Sequence, residues 1–86
     1  MTSQKYILTD KTREKFGEKM YQIKALKDFN DVKKDELGGW IEKEGNLSQL
    51  GDAWIYGNAE IYGNAEIYGN AMIYGNARIS GDAEVK

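Results

Sequence analysis

The chain has 86 residues, a net charge of −2, and neither cysteine nor histidine. That length bounds it to one domain with a limited core, and a charge so close to zero gives no electrostatic reason to expect nucleic acid or an anionic membrane as partner. The missing thiols exclude a disulfide framework and thiol chemistry. No apolar run is long enough for a signal peptide or a membrane span, so the expectation is a soluble intracellular protein. Charge is uneven: residues 1–50 carry ten Lys/Arg and nine Asp/Glu, whereas 51–86 carry two and five. Proline is absent, which suits a strand stack that needs its backbone N–H groups.

In chain order, residues 1–4 read as an irregular start. Lys5 to Thr9 has the β-branched and aromatic content of a strand. Asp10 to Glu18 is charged and reads as a loop, with a helical turn over Thr12–Phe16 too short to stand alone. Lys19 to Leu26 alternates, with Tyr21, Ile23 and Ala25 on one face, and predicts a second strand antiparallel to the first. Lys27 to Glu36 is a mixed-charge loop anchored by Phe29 and Val32. Leu37-Gly38-Gly39-Trp40-Ile41 leads into the repetitive half, with Trp40 as a packing residue at the junction. Counting back in sixes from Gly51 reaches Gly45 and Gly39. Gly39-Trp40-Ile41 and Gly45-Asn46-Leu47 then read as decayed repeats, with Ile41 and Leu47 where later units hold alanine. An irregular terminal repeat is what a solenoid cap looks like. The predicted division is a capping module over 1–38 and a repeat unit over 39–86, regular from 51 to 86.

From Gly51 to Lys86, six hexapeptides follow without a slip, and so strict a period sets the architecture. In one unit, Ile61 lies between Glu60 and Tyr62 and points to the opposite face from both. Gly63-Asn64 marks a turn, with Asn64 expected in the left-handed region at the corner. Ala65 then points inward, where only a small side chain fits. Three such corners close a triangle, so one coil takes eighteen residues. Ile55 then stacks on Ile73, Ile61 on Ile79 and Ile67 on Val85. Outside, Tyr56 stacks on Tyr74, Glu60 meets Arg78, and Trp54 meets Met72 in a sulfur–aromatic contact.

Starting at the aliphatic residue, the unit Ile61-Tyr62-Gly63-Asn64-Ala65-Glu66 resembles the hexapeptide repeat of left-handed parallel β-helices. The resemblance implies the left hand, a departure from the usual crossover preference. The expected fold is all-β: a short left-handed parallel β-helix of about 2 to 2.7 coils, capped by an N-terminal β-hairpin module. The run from Ile23 to Val32 and on through Leu37-Gly38-Gly39-Trp40-Ile41-Glu42, followed by Gly-Asn-Ala repeats, is similar to uncharacterised bacterial and phage proteins. Those proteins pair a short β module with a hexapeptide β-helix, commonly with more coils.

Many hexapeptide β-helices are acyltransferases with a histidine general base, and some are carbonic anhydrases that hold zinc with three histidines. This chain offers neither histidine nor cysteine for those roles. The glycine-rich repeats precede no helix and no P-loop lysine, so they read as corners. Glu60 and Glu66, six residues apart, fall on different sides of the triangle and read as solvated. No catalytic residue, metal ligand or cofactor is therefore expected. The candidate interaction surface is Trp54, Tyr56, Tyr62, Tyr68, Met72 and Tyr74, because outward aromatics mark contact surfaces when they do more than pack along a ladder. The candidate assembly edge is Arg78, Ser80, Glu84, Val85 and Lys86. The expected function is a non-catalytic structural or interaction module that forms a homodimer. The alternatives are a small phage-type effector that binds and inhibits a host protein, and a degenerate acyltransferase-like protein that borrows groups from a partner.

Overall fold

Of the nine strands among the described residues, six are only two residues long, too short to hold a conformation by themselves. Their backbone groups depend on a neighbouring pass of the chain, and each of the six pairs with at least one. In the computed structural model, which describes residues 4–15 and 17–86, the fold is all-β with one 3₁₀ turn at Glu44–Asn46. The strands are β1 (Tyr6–Lys15), β2 (Glu18–Ala25), β3 (Leu37–Ile41), β4 (Trp54–Ile55), β5 (Glu60–Ile61), β6 (Glu66–Ile67), β7 (Met72–Ile73), β8 (Arg78–Ile79) and β9 (Glu84–Val85). Three parallel ladders carry the repeats: β3–β5–β8, β4–β7 and β6–β9. Ile55 pairs with Ile73, Ile61 with Ile79 and Ile67 with Val85, as the eighteen-residue period requires. Alternate N–H groups from Asp52 to Tyr68 donate across the step, for example Trp54 to the Ala71 carbonyl at 3.1 Å and Tyr56 to that of Ile73 at 2.7 Å.

The first pass is longer. Ile41 pairs with Ile61, and Leu47 bridges to Ile67, a spacing of twenty residues. Ile41 and Leu47 thus occupy isoleucine positions and not the alanine positions that counting by sixes assigned. The two extra residues lie between Leu47 and Trp54. There the Gln49 side chain accepts from the N–H groups of Lys5 and Tyr6 and donates to the Tyr6 carbonyl, standing in for a strand partner of β1. Gly39 lies in extended β3 and not at a corner.

The hairpin forms as predicted, but it is longer. Thr12 to Lys15 are strand where a loop and helical turn were expected, because they pair with Glu18 to Tyr21 and so satisfy their backbone. Phe16 and residues 1–3 lie outside the described residues. Between Leu8 and Thr12, β1 spends four steps against two on β2. An irregularity of this kind bends and twists a hairpin. β3 pairs antiparallel with β2 and parallel with β5, so the division at 38/39 falls inside one strand. One apolar core runs through both halves, from Tyr6, Ile23 and Val32 to Ile55, Ile61 and Ile67. Asn46, fully buried, ties the first two passes together. Its Oδ1 accepts from Glu42 and Lys43 N–H, and its Nδ2 donates to the Gly63 and Ala65 carbonyls.

The corners differ from expectation in one respect. The left-handed residue is Gly63, with φ 69°, and not Asn64. Asn64 instead accepts from the Lys43 ammonium at 3.1 Å and donates to Asp82 at 3.3 Å. Gly63→Ala is therefore expected to cost about 1–2 kcal/mol through left-handed strain, and Asn64→Val to stay within about 0.5 kcal/mol, both read from urea unfolding. A second pair of variants separates close approach from flexibility. A Cβ on Gly39 would sit 2.7 Å from the Ala59 carbonyl oxygen and 2.4 Å from Ile55 Cγ2, whereas one on Gly45 meets nothing within 4 Å. Gly39→Ala should cost about 1–3 kcal/mol by overpacking. Gly45→Ala should be neutral in the same melt, and equal costs would refute the packing account.

Candidate functional site

The ladder β3–β5–β8 sets Trp40, Glu60 and Arg78 in one outward column. Left to itself, that column would face water. The bent hairpin lies across it and buries Glu60 to 2% exposure, which corrects the solvated face expected for this carboxylate. Arg13, from the far half of β1, places its guanidinium 4.3 Å from the Trp40 ring centroid, a cation–π contact. The same guanidinium donates from Nη1 to Glu60 Oε2 at 2.8 Å. The Lys15 ammonium is 3.2 Å from that oxygen, and Arg78 Nε is 3.5 Å from Oε1. Oε1 is buried without a formed hydrogen bond among the described residues. Burial pushes the Glu60 carboxyl up, but the hydrogen bonds and charges of Arg13 and Lys15 outweigh it and hold the group below the usual carboxylate range. Glu60 is thus a fixed anion and a poor proton carrier. Around it opens a cleft of about 280 Å³ whose lining includes Asn58 and Asn76.

The aromatic residues predicted as one surface do not form one. Trp54 is fully buried, with Phe29 at 5.4 Å and Tyr6 at 6.3 Å in edge-on packing, so it is a plug between module and ladders and not a contact residue. Tyr62 follows β5 and Tyr68 follows β6, which places them on separate sides. Tyr56 and Tyr74 do come together, stacked at 4.5 Å with planes 11° apart. Tyr56 donates to Asp31 at 2.6 Å, and Tyr74 to the Met72 sulfur at 3.0 Å. The exposed part of the set is therefore Met72 and Tyr74. Met72 is opposite Trp54 in the ladder, but its sulfur partner is the Tyr74 hydroxyl. Of the predicted edge, Arg78 lies on β8, Glu84 and Val85 on β9, and Ser80 and Lys86 directly follow these strands. Arg78 lies beside Glu60 and keeps about half of its side chain exposed. A second groove, of about 370 Å³, has Leu47 and Ile67 in its walls with Glu44, Glu66 and Tyr68 beside them.

Two groups were missed in the sequence. Arg13 and Lys15 were read as loop charges, although their i, i+2 spacing puts both on one face of a strand. Lys5 was read as an ordinary strand residue. Its ammonium is buried, donates to the Ala53 carbonyl at 2.6 Å and lies 5.2 Å from the Phe29 ring centroid. Burial lowers it to about 8, with Asp52 opposing and Lys27 adding to the shift.

No family model matches the chain. Over 35 residues it is 54% identical to a protein of Escherichia coli (strain K12) described as "Uncharacterized acetyltransferase YdcK". The match takes in 41% of this chain and spans only 11% of that protein's length. Among the described residues no helix is long and apolar enough to cross a membrane.

The buried amine generates a pH prediction. Below pH 8, Lys5 is charged in both states and its desolvation penalty is fully present. As pH rises from there towards the unfolded value of 10.5, the folded amine loses its proton first. The unfolded state then binds more protons, so stability rises with pH. The urea midpoint should increase between about pH 8 and 10, and Lys5→Met should abolish that increase. A parent protein whose midpoint is flat over this range would refute the buried ammonium.

Proposed function

We propose that the chain is a non-catalytic assembly module of the bacterial cytoplasm that docks a second copy of itself through the outer edge of its ladders. One observation carries this reading. β7, β8 and β9 each pair on one side only within the described residues, and the apolar column behind them is half-covered at Ile79 and Val85 where Ile55 and Ile61 are fully buried. An open strand edge over an apolar column is a template for further strands. The N–H groups of Glu66 and Tyr68 already use the carbonyls of Ala83 and Val85. By parallel-ladder geometry the Glu84 N–H points away from β6, to the side on which an incoming strand would pair. The absence of histidine and cysteine from the chain supports the non-catalytic part. Light scattering at about tens of micromolar should give twice the chain mass, and Glu84→Pro should return the monomer by removing an edge donor. A monomeric parent would overturn the reading.

The 35-residue likeness to an "Uncharacterized acetyltransferase" favours a second reading, an acetyltransferase-like segment that works with groups from elsewhere. Acetyl-CoA thioester cleavage by the purified chain, lost on a point substitution, would favour it over the first. The assembly reading expects none.

A further inference from the structure

We propose that the cleft around Glu60 is a binding site for a small phosphate monoester, with Arg13, Lys15 and Arg78 as its cationic wall. Three cations surround one carboxylate, so two positive charges in the cleft stand uncompensated. Gathering like charges is unfavourable unless something holds them. Here Glu60, 2% exposed, is the fixed anchor, and the cations keep a solvent-facing side: their side chains are 30%, 37% and 53% exposed for Arg13, Lys15 and Arg78. Each therefore has one nitrogen held near Glu60 and part of its side chain open to solvent in the cleft lining. Arg13 spends Nη1 on Glu60 and is steadied by the Trp40 ring, so little side-chain freedom remains to be lost when a ligand arrives.

The chemistry of the wall selects the ligand. Guanidinium groups present paired N–H donors that match phosphate oxygens, and a lysine adds a point charge. A phosphate monoester carries close to two negative charges at neutral pH, which neutralises the excess. A carboxylate or a phosphodiester carries one and leaves a positive charge unpaired. At about 280 Å³ the cleft exceeds the size of a bare phosphate, and its lining includes Asn58 and Asn76, exposed residues whose amides are the chemistry that pairs with hydroxyls. A phosphorylated sugar satisfies both features. Asn58 and Asn76 come from the same corner of successive coils, Arg78 from β8, and Arg13 and Lys15 from β1. The site thus exists only where the hairpin crosses the ladder. It lies on a side face and does not depend on assembly through the edge.

The test is titration of the isotope-labelled full chain with ribose 5-phosphate, followed by proton–nitrogen spectra that include the arginine Nε–H and asparagine amide signals. Ribose, inorganic phosphate, dimethyl phosphate and sodium chloride at matched ionic strength are the comparison ligands. The expected result is a saturable shift confined to Arg13, Arg78, Asn58 and Asn76. Ribose 5-phosphate should bind about ten-fold or more tighter than dimethyl phosphate, and ribose alone should leave the spectra unchanged. Arg78→Gln and Lys15→Gln change partly exposed side chains, so the fold is kept, and each should weaken binding about ten-fold. Shifts that chloride reproduces would overturn the proposal. So would equal affinity for the diester, or folded variants that bind as tightly as the parent.

Discussion

Everything in this molecule depends on hydrogen bonds between successive passes of the backbone. A strand of two residues has no stability of its own. Yet N–H groups at Trp54, Tyr56, Asn58, Glu60 and Tyr62 each meet a carbonyl of the next coil, corners included. That arrangement explains the severity of the repeat. Inserting one residue in a unit would turn its isoleucine outward and offset each later pairing. The corner glycines share a positive φ, and at some of them the neighbouring pass also comes close. At Gly51 a Cβ would approach the Gly69 carbonyl oxygen to 2.7 Å, so position as well as dihedral angle demands glycine there.

The first pass escapes that severity because the N-terminal module takes over part of the pairing. Gln49 pairs with the backbone of Lys5 and Tyr6, and the Lys5 ammonium reaches the Ala53 carbonyl. Tyr6 donates to the Leu47 carbonyl from the same side. Trp54, Phe29 and Tyr6 fill the space between. A single extended insert in a regular ladder would break it. Here two extra residues are accommodated because their polar groups and their apolar neighbours both find partners in β1 and the loop that carries Phe29. A buried lysine works against stability, and here hydrogen bonds to the Gly51 and Ala53 carbonyls offset part of the cost, with no ion-paired carboxylate among the described residues.

The basic cleft shows the same economy of construction on the neighbouring side. Glu60 occupies the variable position of its repeat, where Glu66, Met72 and Arg78 stand in other units. Nothing in the repeat makes it special. It becomes a buried anchor because three cations converge on it: Arg78 is its neighbour in the ladder, and Arg13 and Lys15 arrive from β1, which lies over the Trp40 ring. The equivalent Glu66 faces Glu84 in its ladder and stays exposed. Identical local sequence thus yields a solvated carboxylate on one side and a fixed internal anion on another.

That contrast separates what was legible in the sequence from what was not. Periodicity alone carried the pairing of Ile55 with Ile73, the Tyr56–Tyr74 stack and the Glu60–Arg78 approach, since each follows from counting eighteen along one chain. It failed where a residue's surroundings come from outside the repeat. Trp54 looked outward by its place in the hexapeptide and is buried by Tyr6 and Phe29. Ile41 and Leu47 looked like corner residues until the longer first coil shifted the count. Arg13 reaches Glu60 across 47 residues of chain, through a hairpin whose bend arises from pairing between β1 and β2. By itself the sequence determined the parallel ladders and their inner columns, because a local period repeats the same local geometry. Only the tertiary structure decided which outward side chains are covered, because that depends on where a non-repeating segment comes to rest.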